Sequence, residues 1–382
     1  MTTPACPAKA TTFFRLLEQT PNLDLRDNRG KRHSVALVLT GLVAALCCGR
    51  DGSLSRLHRH MSNQFEYLLE ATQLTDQKVI SRAQLPVLLA KVNGSCFAKL
   101  LFDWFGFCLD EQQKAWFAVD GKELRGSIPT GHTRGEVCVS AVAHQTQQVV
   151  GQTYYCGSKE SERPTVRQLL DKHSLWTQKI SLDALHLTPL TLRSIHAEEG
   201  IYVVGLKANQ AHLYRQCICR ALFSTEYERV DLVQKHHGRT EQRICRCYCL
   251  KSLTLAPRWQ GTGLATLVCV ERHRHQAGID SEETSYFVSN AQPTSQSEAA
   301  ELFDAIRQHW CVEVMHHQRD VTLAEDELRS SQAAISRVLS SLRTLVINLL
   351  EKLNVKNMVA QFDTFADKFP ALIQFFTQQM VL

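Results

Sequence analysis

The stretch Ala115-Trp-Phe-Ala-Val-Asp120 is followed at once by Gly-Lys-Glu-Leu-Arg-Gly-Ser127. Aromatic and β-branched residues favour a strand, and the glycine after the aspartate favours a turn. A second apolar run, Lys179-Ile-Ser-Leu-Asp183, also reaches an aspartate, and Ala-Leu-His186 follows it. Both patterns predict a β-strand that ends at an acid. Taken alone, such an acid is more often a turn former or a helix cap than a ligand.

The elements around these two runs follow a definite order. Three strand-like runs come first, then a helix with Pro164 in its first turn, and strands and helices alternate after it. The predicted strands cover residues 115–120, 137–143, 148–156, 179–183 and 201–206. This is the order of the ribonuclease H-like fold, in which the first and fourth strands are neighbours. We therefore expect an α/β fold with a mixed five-stranded sheet that brings Asp120 beside Asp183.

The pattern outside this core predicts further parts. Strand-like runs at 243–250, 264–271 and 284–289 predict a β-rich subdomain inserted into the core, and the first 100 or so residues have a helical pattern. The predicted parts are a helical N-terminal domain (1–105), the first part of the catalytic core (110–215), the insertion (216–285), the final part of the core (286–350) and a helical tail (351–382).

The composition is that of an ordinary globular protein. Of its 382 residues, 44% are hydrophobic and 21% are charged, which allows a sizeable core and gives no indication of disorder. The net charge of +5 suggests a polyanionic partner without establishing one. The longest apolar run, residues 35–48, is too short to span a membrane and favours a buried helix. Because the N-terminus also lacks a signal-peptide pattern, we expect a cytoplasmic protein without a membrane segment.

A third acid, Glu313, lies in the helix-like stretch His309-Trp-Cys-Val-Glu-Val-Met-His-His-Gln-Arg-Asp320. Two acids after strands and one on a later helix are typical of a two-metal phosphodiester site. In such a site two Mg²⁺ ions about 3.5–4 Å apart stabilise the attacking and the leaving oxygen, and carboxylate oxygens are the ligands that Mg²⁺ prefers. Glu325 and Glu327 compete with Glu313 as the third ligand, although a solvated acidic turn is the simpler interpretation of both.

Basic side chains and histidines near these acids are candidates for DNA contacts. Some follow the acids closely in the chain, and others alternate along a β-like stretch of the insertion, where a glycine would let a DNA backbone approach. For the insertion an internal ion-pair ladder is the alternative, and for the histidine after Glu313 an ordinary helix-surface histidine. The candidates are Lys122, Arg125, His186, His237, Arg239, Arg243 and His317.

Several motifs occur together in one order along nearly the whole chain. They include Val119-Asp-Gly-Lys-x-x-Arg-Gly-Ser127, Asp183-Ala-Leu-His186, Tyr202-Val-Val-Gly-Leu-Lys-Ala-Asn-Gln210, His237-Gly-Arg-x-Glu-x-Arg243 and Arg307-x-His-Trp-x-Val-Glu313. This combination resembles the bacterial insertion-sequence transposases of the acidic-triad (DDE) type, specifically the H-repeat-associated (ISAs-type) group.

The resemblance implies a function and a set of residues. Asp120, Asp183 and Glu313 would be the metal-binding triad for Mg²⁺, with Mn²⁺ able to substitute. Lys207 and Asn209 would belong to a turn near the site, and Lys207 is a further candidate for a DNA contact. The enzyme would cleave DNA at transposon ends to leave a 3′-hydroxyl and transfer that strand into target DNA, acting as at least a dimer. Two alternatives remain open: a same-fold nuclease without strand transfer, and a non-catalytic DNA-binding protein derived from a transposase.

Overall fold

The computed structural model describes residues 12–49, 52–105, 107, 109, 113–157, 161–236, 239–276 and 278–378. Over these residues the protein is a mixed α/β structure with one large sheet. The strands are β1 (Trp116–Glu123), β2 (Glu136–Ala143), β3 (Val149–Cys156), β4 (Lys179–Leu182), β5 (Ile201–Leu206), β6 (Glu228–His236), β7 (Arg239–Cys249), β8 (Thr266–Gln276) and β9 (Ile279–Ser289).

Helices lie before, between and after these strands. Before the sheet come α1 (Phe13–Gln19), α2 (Val35–Cys47), α3 (Leu54–Asn63), α4 (Phe65–Thr72), α5 (Gln84–Leu89) and α6 (Gly94–Phe105). Between strands come α7 (Glu162–Lys172), α8 (Pro189–Ala197) and α9 (Ala211–Phe223). After the sheet come α10 (Gln296–Gln308), α11 (Trp310–His317), α12 (Ala333–Lys352), α13 (Met358–Asp367) and α14 (Phe369–Thr377).

The strand order of the sheet is β3-β2-β1-β4-β5-β9-β8-β7-β6. β1, β4 and β5 run parallel to each other, and the other neighbours are antiparallel. The first and fourth strands therefore lie side by side, as the order of elements predicted, with Val119 opposite Leu182.

The sheet is larger than the predicted five strands, and this part of the prediction is wrong. β9 pairs with β5, so the strands of the insertion extend the core sheet instead of forming a sheet of their own. The predicted runs 243–250, 264–271 and 284–289 capture only the buried ends of β7, β8 and β9, which are each 11 residues long. The outer halves of β8 and β9 carry charged, partly or fully exposed side chains, so they lack the apolar alternation that marks a strand.

The two faces of β1 belong to different hydrophobic cores, because side chains alternate along a strand. Phe117 and Val119 pack with residues of α7, α8 and α9. Ala118 faces the other way and packs with residues of α11 and α12. Helices thus cover both faces of the central strands.

The N-terminal and C-terminal helices share one core with α12. Every residue of α2 is buried, which confirms the predicted buried helix, and Ser34 caps its first turn. Phe13 of α1 meets Phe376 of α14 with ring centroids 5.7 Å apart. Among the described residues, α12 is the one helix with the length and hydropathy of a membrane span, and 83% of its apolar window is buried inside the fold. The predicted domain boundaries themselves stay a prediction.

Candidate active site

Asp120 and Asp183 lie at the same end of two neighbouring parallel strands. β4 ends at Leu182, whose partner on β1 is Val119, so the two aspartates are the next residues of each strand. β1 itself continues past β4 to Glu123 against β2, with Asp120 opposite Ser140. Asp120 therefore lies one position beyond the region paired with β4 and still inside β1, which corrects the prediction of a turn at this point. The predicted adjacency of the two acids follows from the register.

The carboxyl group of Asp120 lies in an excess of negative charge. Its pKa is raised to about 7, first by burial and then by charge repulsion from Glu162 and Asp183. Nδ1 of His316 lies 3.7 Å from Oδ2 of Asp120. Burial holds the pKa of this imidazole well below its usual value, so it brings no compensating charge at neutral pH. A shifted acid among other acids is typical of a functional site.

Asp183 is fixed by the turn that it begins. Its Oδ1 accepts a hydrogen bond from the N–H of Leu185 at 2.9 Å and caps the 3₁₀ turn Ala184–His186. The side chain remains 46% exposed, so the carboxylate is open to a ligand. The same turn directs His186 inward, where its side chain is fully buried. The prediction that His186 contacts DNA is therefore wrong.

Glu162 is an acid of this site that the sequence did not single out. It is the first residue of α7 and is only 6% exposed. Its Oε1 lies 3.1 Å from Nε2 of His186, and its Oε2 accepts a hydrogen bond of 3.2 Å from the hydroxyl of Tyr155. The only signal in the sequence is an acid at the start of the helix after the third strand, which by itself reads as an ordinary helix terminus.

Glu313 reaches the site from α11 and is exposed. Partial burial and then the charge of Asp183 raise the pKa of Glu313, whereas Lys207 lowers it. Nδ1 of His309, at the start of α11, lies 3.0 Å from Oγ of Ser181, two residues before Asp183. This contact fixes the helix of the third acid against the strand of the second. The charge of Asp183 thus contributes to the raised pKa of both Asp120 and Glu313.

The turn predicted to contain Lys207 and Asn209 lies at this same edge. It follows β5 as a 3₁₀ turn, Ala208–Gln210, and Lys207 precedes it with an exposed side chain. Nδ2 of Asn209 donates to the carbonyl oxygen of Ala184 at 2.9 Å, which ties this turn to the one after Asp183.

A groove with a volume of about 1330 Å³ opens in front of Asp183 and Glu313. One wall is formed by the ends of β4 and β5 and by α11, and the other by β7, β8 and β9 of the insertion. Asp120 is not among the residues that line the groove. The basic residues that line it are Lys207, Arg243, Arg272, Arg274 and Arg307. The groove therefore combines two of the acids with a basic wall.

Lys122 is not placed to meet a phosphate. Its side chain is 9% exposed, and its Nζ lies 2.6 Å from Oδ1 of Asp320 and 3.4 Å from Oδ1 of Asp326. These ion pairs fasten the segment after α11 to β1. The prediction of a phosphate contact for Lys122 is therefore corrected to a structural role.

Glu325 and Glu327, the alternatives to Glu313 as third metal ligand, differ from each other in exposure. Glu325 is buried and accepts a hydrogen bond of 2.7 Å from Nη2 of Arg319, which is itself fully buried. Glu325 is therefore not the solvated residue that its acidic neighbours suggested. Glu327 is exposed, as expected of an acidic turn.

Two arginines of the insertion bind a buried carboxylate. Arg239 Nη2 lies 3.1 Å from Oε2 of Glu241, and Arg243 pairs with Oε1. Arg272 donates to the same group at 2.7 Å from β8. Although burial acts in the opposite direction, these arginines, Arg272 first, hold the pKa of Glu241 below its usual range. The ion-pair ladder considered as the alternative is present, while Arg243 also lines the groove.

Three of the residues predicted to contact DNA have not yet been placed. Arg125 projects into solvent with its side chain 77% exposed, 3.9 Å from Asp326. His317 is exposed on α11, one turn after Glu313. His237 lies outside the described residues.

The donor chemistry of the site fits a hard divalent cation. Asp120, Asp183 and Glu313 offer only carboxylate oxygens, the ligands that Mg²⁺ prefers. Burial and then the negative charges of Glu162 and Asp183 raise the pKa of Asp120, and a cation would neutralise these charges. Among the described residues, however, no three His, Cys, Asp or Glu side chains converge closely enough to hold one ion as they stand. The residues therefore have the ligand chemistry and the location that a divalent cation needs. Their side chains would have to move closer together to hold one ion.

Comparison with known proteins places this arrangement in a family. The family described as "Transposase DDE domain" matches residues 111–349, which is more than half of the chain. The chain belongs to the DDE-domain transposases. This confirms the resemblance noted in the sequence motifs.

Relatives of this transposase occur in Escherichia coli. "Putative transposase YncI" of E. coli O157:H7 is 22% identical over 339 residues, covering 86% of this chain and 84% of the relative. "H repeat-associated putative transposase YhhI" of E. coli (strain K12) is 25% identical over 269 residues, covering 68% and 70%. A piggyBac transposase in a synaptic complex with hairpin DNA aligns with 97% of this chain and 82% of its own, at 9% identity and a TM-score of 0.47.

Proposed function

We propose that this chain is an insertion-sequence transposase that cleaves DNA at the ends of its own element and joins the freed 3′-hydroxyl to target DNA. The observation that carries the proposal is that Asp120, Asp183 and Glu313 come from β1, β4 and α11 to one end of the sheet. The strand order β3-β2-β1-β4-β5 supports a ribonuclease H-like core for this chemistry.

Asp120, Asp183 and Glu313 would hold Mg²⁺, with Mn²⁺ able to substitute. When bound, the metal supplies charge stabilisation to the attacking and the leaving oxygen of the phosphodiester. The register of β1 and β4 fixes the two aspartates on a rigid support, and Glu313 faces Asp183 from α11. A rigid support matters because most of the rate enhancement in phosphoryl transfer comes from positioning and electrostatic stabilisation.

DNA would lie along the basic groove. Lys207 and Arg243 line it, and Arg239 lies on the strand of Arg243. His317 is exposed on the helix of Glu313, and Arg125 is exposed beside Asp326. The helical N-terminal part, residues 1–105, would add contacts to the phosphate backbone. Because two element ends must be joined, we propose at least a dimer during the reaction, and action in the bacterial cytoplasm.

The test is a cleavage and joining assay with Mg²⁺, target plasmid and DNA that carries the inverted repeats flanking the gene. We expect new 3′-hydroxyl ends and joined products. Asp120→Asn, Asp183→Asn and Glu313→Gln should each lower the rate on the order of 10²–10³-fold. Glu327→Gln, which removes a nearby exposed acid, should keep the parent rate and serves as the matched control.

The outcomes separate the two alternatives. Cleaved ends without joined products would indicate a nuclease of the same fold. DNA binding without Mg²⁺-dependent cleavage, together with triad variants that behave like the parent in cells, would indicate a non-catalytic DNA-binding protein. Loss of activity in Glu327→Gln but not in Glu313→Gln would move the third ligand to the acidic turn.

A further inference from the structure

Glu162 is a buried acid beside the metal-binding candidates, yet the proposed reaction assigns it no task. It is 6% exposed, and each of its carboxylate oxygens has one hydrogen-bond contact, to the Tyr155 hydroxyl at 3.2 Å and to Nε2 of His186 at 3.1 Å. Burying a carboxylate lowers the stability of the fold unless the group is paired and hydrogen-bonded. A buried carboxylate beside two other acids therefore suggests a role in the site.

His186 lies between Glu162 and Asp183. Its Nε2 is 3.1 Å from Oε1 of Glu162 and 3.7 Å from Oδ1 of Asp183. Its Nδ1 is buried and has no hydrogen-bond partner among the described residues. Among the residues that the structure describes, Glu162 therefore makes the one polar contact at hydrogen-bond distance that orients this ring beside Asp183.

Glu162 also lies directly against the backbone beside Asp120. A Cβ atom at Gly121 would be 2.7 Å from Cδ of Glu162 and 2.9 Å from Oε2. Any larger residue at this position would therefore force the carboxylate to shift. Because alternate residues of a strand face opposite sides, Glu162 supports β1 from the face opposite the Asp120 side chain.

We propose that Glu162 is a positioning residue of the acidic site, which holds His186 against Asp183 and supports β1 behind Asp120. The inference rests on the proposed function, since it concerns how the two aspartates are presented to a divalent cation. Residues that orient metal ligands from behind typically change metal affinity about 10–100-fold when they are removed. A buried acid with a purely structural role would change the stability of the fold and leave the metal affinity of the folded protein unchanged.

The test is a calorimetric titration of metal-free full-length protein with Mn²⁺. Glu162→Gln keeps the side-chain volume, and we expect it to raise the Kd about 10-fold or more. In a His186→Phe background the same change should have little further effect, because the two residues act as one unit. The matched control is Glu136→Gln, which alters a buried carboxylate held by Arg337 at 2.7 Å, and it should keep the parent Kd. If Glu162→Gln does not fold, Tyr155→Phe removes one contact of the same carboxylate and should raise the Kd on the order of 3-fold.

Asp120→Asn distinguishes the failure of this inference from that of the proposed function. If Asp120→Asn weakens Mn²⁺ binding while Glu162→Gln stays within about two-fold of the parent, the positioning role is wrong and the site stands. The positioning role would also be wrong if Glu162→Gln and Glu136→Gln weakened Mn²⁺ binding equally. The same holds if the effects of Glu162→Gln and His186→Phe on the Kd were additive. If Asp120→Asn leaves Mn²⁺ binding unchanged, the proposed metal site itself is wrong.

Discussion

The raised pKa of Asp120 has a consequence for stability that can be measured without DNA. In the folded protein this pKa is about 7, whereas in the unfolded chain it returns to about 3.9. Between these values the folded state binds more protons than the unfolded state, so stability falls as pH rises through this window. Once Asp120 is ionised, its charge destabilises the metal-free fold.

We therefore expect Asp120→Asn to flatten the pH dependence of stability. In urea unfolding with a chelator present, the free energy of unfolding should fall between pH 5 and pH 8 by on the order of 2 kcal/mol more in the parent than in the variant. Glu327→Gln, at an exposed acid, should follow the parent. Parallel curves for the parent and Asp120→Asn would contradict the environment described for this carboxyl group.

Individual residues also mark the limit of sequence reasoning. Asp120 and Asp183 were predictable because each follows an apolar run and the register of two parallel strands makes them neighbours. Lys122 was misassigned because its carboxylate partners, Asp320 and Asp326, lie about 200 positions later in the chain. Glu162 was missed for the same reason, since its meaning depends on contacts across the fold.

At the level of elements, the order of strands was predictable and their extent was not. The alternation of strands and helices allows few topologies, because crossovers between parallel strands follow one hand. The outer part of β9, in contrast, is held by pairing with β8 along its whole length, although residues 279–284 are exposed. Such a strand is fixed by its neighbour and by cross-strand ion pairs, which local hydrophobicity does not encode.

The segment after α11 depends on a buried ion pair. Arg319 lies in a π-helical turn, Gln318–Thr322, and its guanidinium binds Glu325 and the hydroxyl of Ser340 on α12. Burial acts against the charge, but Glu325 outweighs it and the pKa of Arg319 stays raised. The pair therefore joins the end of the Glu313 helix to the core helix.

Removing one partner of this ion pair should destabilise the fold. We expect Arg319→Met to lower the free energy of unfolding by about 3–5 kcal/mol, because Glu325 would be left buried without its partner. The double change with Glu325→Met should recover much of the loss. Chemical denaturation measures both, with the exposed Arg329→Gln as control. A single variant as stable as the control would show that the pair is not buried as described.

At the level of the whole molecule, the extended sheet makes the insertion a wall of the groove. The sequence predicted an insertion, but it could not show that β9 would join β5 and so bring Arg243 and Arg272 to face Glu313. The sequence likewise gave no sign that α14 would pack on α1, because the helical pattern fixes an apolar face and not its partner.

A groove that binds the DNA backbone should respond to salt. Each phosphate contact that is removed lowers the slope of log K against log salt by about 0.9. We expect Lys207→Gln, inside the groove, to lower the slope by about one contact. Arg215→Gln, at an exposed position of α9 outside it, should leave the slope unchanged. Fluorescence anisotropy over a salt series measures both, and equal slopes for the two variants would place the DNA elsewhere.

We propose above that three acids from three elements form one cation site. Anomalous diffraction from crystals grown with Mn²⁺ and element-end DNA would locate bound cations. We expect anomalous peaks within about 2.2 Å of carboxylate oxygens of Asp120, Asp183 and Glu313. Peaks at the cluster of Asp320 and Asp326, with none beside Asp120 and Asp183, would contradict it.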